Sequence, residues 1–162
     1  ELAAEVIQLA HRTEVKLATA ESCSAGALAT LLAATPSSGD VFLGGFITYA
    51  KACKIELLGV EDTLLKEKSA VSGEVAAAMA RGALARCSSA DITIATTCVG
   101  GPDPDEDGNP VGLTFIALAR RNGECIVERH ELHAPSAGRI RGDVLSRALQ
   151  LTRTYLLGHA RP

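Results

Sequence analysis

The sequence predicts an α/β fold, a three-layer α/β/α sandwich with a mixed sheet of about five strands. Short apolar, β-branched segments alternate with helix-like segments, which is the order expected for parallel strands joined by helices. Two further strand-like segments flank Asn122-Gly123, a dipeptide typical of a tight antiparallel hairpin. The chain has 162 residues, of which 47% are hydrophobic. We therefore expect one core and a single domain over residues 1–162.

The first half of the chain is predicted to contain two strands and several helices. Leu2, Val6 and Leu9 recur at helical spacing and predict a first helix that ends near Arg12. The other predicted segments are a strand at 15–20, a helix at 24–35 that ends at the turn residues 36–39, a strand at 41–50, a helix at 51–59 and a helical turn or two at 62–68.

The second half begins with a capped helix. Ser72 precedes the segment 73–87, where its hydroxyl can cap the helix, and Glu74 lies in the first turn, where the helix dipole favours an anion. The remaining predicted segments are a strand at 91–97, a long loop at 98–112, hairpin strands at 113–121 and 124–133, and a closing helix at 137–157. Loops as long as 98–112 are usually functional or mobile.

Composition excludes several classes of function. The net charge is −3 and only 3% of residues are aromatic, with no Trp, which argues against a nucleic-acid binder. No apolar run is long enough to cross a membrane. Phosphate-loop, dinucleotide and zinc-protease motifs are missing, and no Cys/His set has zinc-ligand spacing, so we expect no metal and no cofactor. The five cysteines, an odd number without a CxxC pair, are expected to be reduced thiols, mostly in the core, of a cytoplasmic protein.

Three polar clusters follow predicted strands, at Glu21–Gly26, Thr48–Lys54 and Thr96–Gly101. In open α/β sheets, ligands bind beyond the carboxyl ends of the strands, so these clusters are expected to converge on one cleft. Arg139 and Arg141 open the last predicted helix and form either a solvated basic face or a partner for a phosphate or carboxylate.

Ser22 is either a helix cap or a nucleophile. A serine nucleophile needs a base, and the four histidines lie near chain ends or on the hairpin, away from the expected cleft. A Ser-His-Asp triad is therefore disfavoured. Lys51 or Lys54 can be the base if burial lowers its pKa, although either can also be a solvated helix residue. Cys23 is an alternative nucleophile, disfavoured because neighbouring Glu21 opposes a thiolate.

The acidic loop partly matches an EF-hand calcium loop, at Asp103, Asp105, Asp107 and Gly108. Thr114 stands where that loop requires a bidentate Glu, and a predicted strand follows instead of a helix. We therefore expect an acidic, solvated lid.

Four motifs of the chain, in order, are similar to those of one known family. They are TAESCSAG at 19–26, GFITYAKACKIELLGV at 45–60, SAVSGEVAAAMARGAL at 69–84 and TTCVGGPDPDEDGNPVGLTFIAL at 96–118. They resemble TAESCTGG, GFVTYSNEAKxxxLGV, GAVSEEVAxxMAxGAL and VTGIAGPxGGxxxKPVGTVxIAL of the CinA C-terminal domain family. The resemblance runs from about residue 2 to 157 and implies the fold predicted above.

The resemblance also implies an activity. Characterised members of the family include an amidohydrolase that converts nicotinamide mononucleotide and water to nicotinate mononucleotide and ammonia. A metal-free Ser–Lys mechanism is implied, with Ser22 as the nucleophile, Lys54 as the base and Tyr49 orienting Lys54 or the substrate.

Further roles are carried over from the same motifs. The turn that includes Thr97, Gly100 and Gly101 is a candidate for oxyanion stabilisation, and Arg141 is a candidate phosphate partner. The other candidate substrate-binding residues are Glu21, Cys23, Ser24, Gly26 and Thr48. The expected partners are a small-molecule nucleotide substrate and further copies of the chain in a homo-oligomer, with no nucleic acid and no membrane.

The chain departs from the family motifs at several positions of the predicted cleft. Ala25 and Cys98 stand where the family has glycine, Lys51 replaces Asn, and Asn109 replaces Lys. These changes leave a second function open, a catalytically diverged nucleotide-binding or assembly module.

Overall fold

The computed structural model describes residues 1–159. The helices are α1 (Leu2–Thr13), α2 (Ala27–Ala33), α3 (Lys51–Leu58), α4 (Asp62–Lys68), α5 (Gly73–Arg86) and α6 (Ala137–His159). The strands are β1 (Leu17–Glu21), β2 (Phe42–Ile47), β3 (Ile92–Cys98), β4 (Leu113–Arg120) and β5 (Cys125–Glu131). A short 3₁₀ turn at Ser38–Asp40 precedes β2.

The five strands form one mixed sheet in the order β2-β1-β3-β4-β5. Strand β1 pairs in parallel with both β2 and β3, whereas β4 pairs antiparallel with β3 and β5. The predicted mixed sheet is therefore confirmed, with the hairpin as its antiparallel part. The carboxyl ends of β1, β2 and β3 meet at one edge of the sheet.

The two faces of the sheet differ in side-chain size. One face presents large aliphatic residues to α1, α2 and α6, and the other presents small residues to α3, α4 and α5. The large set from β1, β3 and β4 is Leu17, Ile92, Ile94, Ile116 and Leu118, and the small set from the same strands is Ala18, Ala20, Ala95, Ala117 and Ala119. Helices thus cover both faces, as the three-layer prediction requires.

Small residues also bring α3 close to α5. A Cβ at Gly82 of α5 would lie 2.0 Å from the backbone oxygen of Leu58 in α3. Only glycine permits this approach without a shift of the backbone. The contact fixes the helix that carries Lys54.

Residues 22–26 form a turn, not the predicted start of a helix. Ala25 and Gly26 have φ values of +50° and +90°, in the left-handed region, so α2 begins only at Ala27. Ser22 is therefore not the cap of α2. The predicted cap at Ser72 is confirmed, since its hydroxyl accepts the N–H of Val75 at 3.2 Å. Within residues 1–159, no helix combines the length and apolar character needed to cross a membrane.

Candidate active site

A cavity of about 530 Å³ opens at the edge where the parallel strands end. Eight of the predicted site residues line it, from the turns after β1, β2 and β3 and from α3 and α6. They are Ser22, Cys23, Tyr49, Lys54, Thr97, Gly100, Gly101 and Arg141. Residues of all three polar clusters thus line one cavity. No histidine of the described residues lines it.

Ser22 and Lys54 are hydrogen-bonded in this cavity. The Nζ atom of Lys54 lies 2.9 Å from Oγ of Ser22, 2.7 Å from the carbonyl oxygen of Thr48 and 3.0 Å from that of Tyr49. A neutral amine has two N–H donors and one lone pair. The two carbonyls can therefore hold both N–H groups, which leaves the lone pair directed at the Ser22 hydroxyl.

Lys54 is buried although it carries an ammonium group. Its residue is 1% exposed, and this burial lowers its pKa from 10.5 to about 8, with a smaller effect in the same direction from the charge of Lys51. Roughly a tenth of the molecules then carry a neutral amine at pH 7. Burial therefore supplies a fraction of neutral Lys54 amine at neutral pH, and a lysine must be neutral to accept a proton as general base.

The turn that carries Ser22 is tied to β3. The N–H of Ser22 donates to the carbonyl oxygen of Thr96 at 3.0 Å, and the hydroxyls of Ser24 and Thr96 are 2.7 Å apart. These bonds hold the Ser22 side chain, which is 8% exposed, at the end of the parallel sheet. Since the Ser22 amide is already engaged, an oxyanion must be bound by other backbone amides.

Glu21 lies behind Ser22 and does not line the cavity. Its carboxylate accepts the N–H groups of Leu28 and Ala29, both at 2.9 Å, and the hydroxyl of Thr19 at 3.2 Å. Two free amides at the start of α2 are thereby satisfied by a fully buried carboxylate. Glu21 positions α2 and the turn before it.

Ser24, Gly26 and Thr48 also lie outside the cavity wall. A Cβ at Gly26 would lie 2.8 Å from Cδ1 of Ile47 at φ +90°, so glycine is needed there. Thr48 is buried, its N–H donates to the backbone oxygen of Glu21 at 2.8 Å, and its own carbonyl receives Lys54. These residues shape the site from behind.

Tyr49 acts on Lys54 through its backbone. Its carbonyl oxygen accepts from Lys54, while the residue is 69% exposed and its ring has no hydrogen bond within residues 1–159. The contact between Tyr49 and Lys54 is therefore made by the main chain and not by the ring.

The turn after β3 faces Ser22 across the cavity. The hydroxyl of Thr97 donates to the carbonyl oxygen of Ala70 at 2.7 Å, so its side chain anchors the strand end. Gly101 has φ +81°, and a Cβ there would lie 2.9 Å from Cγ1 of Val111. Gly100 and Gly101 line the cavity with Ser22, which makes their backbone amides candidate donors to an oxyanion.

Arg141 belongs to the first turns of α6. Its Nε donates to the carbonyl oxygen of Cys23 at 3.4 Å, and its guanidinium is exposed at the cavity. The position suits an anionic group of a ligand.

A second set of charges at the cavity was not identified from the sequence as a site. Lys51 forms ion pairs with Glu106 and, at 3.4 Å, with Asp107 of the long loop. These hydrogen bonds, that to Glu106 first, raise the pKa of Lys51. Asp105 also lines the cavity, and its Oδ1 accepts the backbone N–H groups of Asp107 and Asn109. The acidic loop is thus held over α3.

The expectation that all five cysteines are reduced is wrong for two of them. Cys23 and Cys98 form a disulfide with Cα atoms 5.6 Å apart, whereas Cys53, Cys87 and Cys125 are free. Glu21 pairs with Thr96 in the parallel register, so the residues two positions further along each strand face one another. Correct pairing of the two predicted strands would have revealed this contact.

The residues 1–159 contain no cluster of three His, Cys, Asp or Glu side chains placed to hold a metal ion. Asn109, which replaces a family lysine, does not line the cavity and donates to Ser69 and Asp105.

The family model, the relatives and the solved structures that match this chain all belong to one family. The CinA C-terminal domain matches residues 1–156. A CinA-like protein of Synechococcus sp. (strain RCC307) is 41% identical over 96% of this chain and 37% of its own length. A CinA-like protein of Geotalea uraniireducens is 43% identical over 79% of this chain and 30% of its own length. The chain spans about a third of the length of these curated relatives.

Solved structures agree with the fold. The competence damage-inducible protein A of Klebsiella pneumoniae superimposes with a TM-score of 0.92 at 31% identity, covering 96% of this chain and 95% of the other. A competence-damaged protein (CinA) superfamily member of Escherichia coli gives a TM-score of 0.87 at 32% identity, with 97% and 90% coverage.

Proposed function

The chain belongs to the CinA C-terminal domain family, and we propose that it is an amidohydrolase with Ser22 as nucleophile and Lys54 as general base. The observation that carries the proposal is the 2.9 Å contact between Lys54 Nζ and Ser22 Oγ, with the amine fixed by two carbonyls. A serine hydroxyl needs such a neighbour to lose its proton. The lowered pKa of Lys54 makes that neighbour available near neutral pH.

The proposed substrate is nicotinamide mononucleotide, as the family resemblance implies. A cavity of about 530 Å³ is within the usual size for a ligand of this class. Arg141 at its rim offers a cation to the phosphate, and Ser22 lies deeper, where the carboxamide would reach.

The reaction follows from the two side chains. Lys54 takes the hydroxyl proton as Ser22 Oγ bonds to the carboxamide carbon, and the backbone amides of the facing turns stabilise the oxyanion. The lysine ammonium returns this proton to the departing nitrogen, which leaves as ammonia. Water then attacks the ester, with its proton taken by Lys54 and returned to Ser22. The products are nicotinate mononucleotide and ammonia.

Ammonia release from nicotinamide mononucleotide tests this function. We expect turnover by the unaltered chain, and a decrease in kcat of roughly 10²-fold or more in both Ser22→Ala and Lys54→Met, since each removes a group that acts on the reacting bond. Release that is no faster than with Ser22→Ala would reject the proposal for this substrate.

A nucleotide-binding or assembly module without turnover is the second candidate. The observation that favours it is the carboxylate-rich cavity rim, where Glu106 and Asp107 neutralise Lys51. Thermal unfolding with and without nucleotides separates the two, because a ligand that binds only the folded state raises Tm. Stabilisation without ammonia release favours binding alone.

We also propose that the chain forms a homo-oligomer and acts in the cytoplasm, where nucleotides are made and used. Edge strand β2 exposes Leu43 and Ile47, which are suitable for contact with another copy. Light scattering after size-exclusion chromatography tests the assembly, and a monomer at micromolar concentration would contradict it.

A further inference from the structure

The Cys23–Cys98 disulfide lies within the candidate active site. Both cysteines line the same cavity as Ser22 and Lys54. Cys23 directly follows the proposed nucleophile, and Cys98 ends β3, two residues before Gly100. The bond therefore joins the turn that carries the nucleophile to the strand end that leads into the proposed oxyanion turn.

Other contacts join the same two segments closer to the sheet. The Ser22 N–H bonds the Thr96 carbonyl, and the hydroxyls of Ser24 and Thr96 are 2.7 Å apart. Beyond these bonds, towards the cavity, the disulfide is the link between the two strand ends. On its other side it packs with Ile140 and Val144 of α6, the helix that carries Arg141.

We propose that the Cys23–Cys98 pair is a redox site that holds the nucleophile turn (residues 22–26) against the oxyanion turn (residues 99–101). A small dithiol converts the protein to a reduced form with lower activity, which the reducing cytoplasm favours, and oxidation of the pair raises the activity. The oxidised form is the one in which the catalytic geometry is assembled. With the disulfide formed, Ser22 and Lys54 are in hydrogen-bond contact and the cavity is open.

The reduction is a thiol–disulfide exchange. A thiolate of the dithiol attacks the sulfur of Cys23, which is the more exposed of the two, and the Cys98 thiolate leaves. The second thiol of the reductant then displaces Cys23 and closes a cyclic disulfide. Two electrons and two protons pass from the dithiol to the cysteine pair.

Reduction breaks the covalent link between the two turns and leaves them free to move apart. Two thiols cannot approach as closely as two bonded sulfurs, so the sulfurs move apart while the hydrogen bonds to Thr96 keep the strands paired. Displacement of a catalytic group by about 1 Å can cost up to roughly 10²-fold in rate. We expect a decrease in kcat/KM of about tenfold, with the fold retained.

The first measurement counts thiols. Denaturing alkylation without reductant, followed by mass spectrometry, should label the three free cysteines Cys53, Cys87 and Cys125, and labelling after reduction should reach all five. Five labelled cysteines before reduction would overturn the proposal.

The second measurement is amide hydrogen exchange of the oxidised and dithiol-treated protein. Exchange should become roughly fivefold faster or more in residues 18–28 and 96–101 on reduction and stay unchanged in α5, which lies on the other side of the sheet. Cys98→Ala should show the faster exchange with or without dithiol. Cys87→Ala, which removes a cysteine outside the site, should respond as the unaltered chain does.

The third measurement is ammonia release in the two redox states, and this readout alone rests on the proposed function. The unaltered chain and Cys87→Ala should lose about tenfold in kcat/KM on reduction, and Cys98→Ala should be insensitive to dithiol. If neither state releases ammonia, the proposed function fails and hydrogen exchange decides the redox site. Equal exchange and equal rates in both states would overturn the redox proposal.

Discussion

Replacing Lys54 with methionine should change how the free energy of unfolding depends on pH. Lys54 is 1% exposed, and burial lowers its pKa from 10.5 to about 8. Over that range the unfolded chain binds more protons than the folded chain, so stability rises with pH. Below pH 8 both states are protonated, and the cost of the buried charge is fully present.

The magnitude follows from the two pKa values. Each pKa unit corresponds to about 1.4 kcal/mol, so between pH 7 and pH 10 the unaltered chain should gain about 2.5 kcal/mol of stability relative to Lys54→Met. Methionine also removes the hydrogen bonds to Ser22, Thr48 and Tyr49. That loss lowers the free energy of unfolding of Lys54→Met by a similar amount at every pH. The change of the free energy of unfolding with pH, and not its value at one pH, therefore reports on the buried charge.

Urea unfolding at pH 7, 8, 9 and 10 and constant ionic strength measures this slope. Lys51→Met is the matched control, because the Lys51 ammonium is paired with Glu106 and Asp107 and has a raised pKa. Lys51 itself contributes stability that is present below pH 10.5 and is lost as pH rises beyond its folded pKa. Lys51→Met keeps the buried Lys54, so its free energy of unfolding should still rise between pH 7 and 10, by slightly less because the Lys51 charge that helps lower the pKa of Lys54 is gone. A difference between the unaltered chain and Lys54→Met that stays constant or shrinks with pH would refute the burial of an ammonium there.

Four further substitutions have defined outcomes. Glu21→Gln should lower the free energy of unfolding by roughly 1–3 kcal/mol in urea, because an amide can accept for only one of the two N–H groups that its carboxylate now satisfies in α2; a change within error would contradict the cap. Ala25→Gly should raise stability by about 0.5–1 kcal/mol, because φ is +50° there. Ala33→Gly, at the last helical residue of α2, should lower stability by less than about 1 kcal/mol, and equal signs for the two glycine variants would contradict the role of the left-handed φ at Ala25. Arg141→Met should raise KM roughly tenfold with little change in kcat if it binds the phosphate, and steady-state kinetics showing a decrease in kcat alone would contradict that role.

The order of strands and helices could be predicted because each element follows from a pattern of neighbouring residues. Alternating apolar segments, the Asn122-Gly123 turn and the Ser72 cap each depend on residues close in sequence. The mixed sheet and the convergence of the three polar clusters followed from general rules of α/β topology, whereas the order of the strands in the sheet was not predicted. The turn at 22–26 was missed because its left-handed φ values fall on Ala25 as well as Gly26, and alanine gives no signal for them.

Contacts between distant segments were not predictable from these patterns. The carboxylate of Glu21 serves the amides of α2, although its place in the motif suggested a ligand contact. The ion pairs of Lys51 with the acidic loop depend on how that loop folds back over α3. The Cys23–Cys98 bond depends on strand register, which composition and cysteine spacing do not contain.

The pH dependence of kcat/KM for ammonia release from nicotinamide mononucleotide tests the Ser22–Lys54 pair most directly. We expect the rate to rise about tenfold per pH unit below pH 8 and to level off above it, with an apparent pKa of about 8. Any residual activity of Lys54→Met should lack this inflection. An inflection near pH 6.5, where histidine titrates, or a rate equal to that of Ser22→Ala at every pH would contradict catalysis by the Ser22–Lys54 pair.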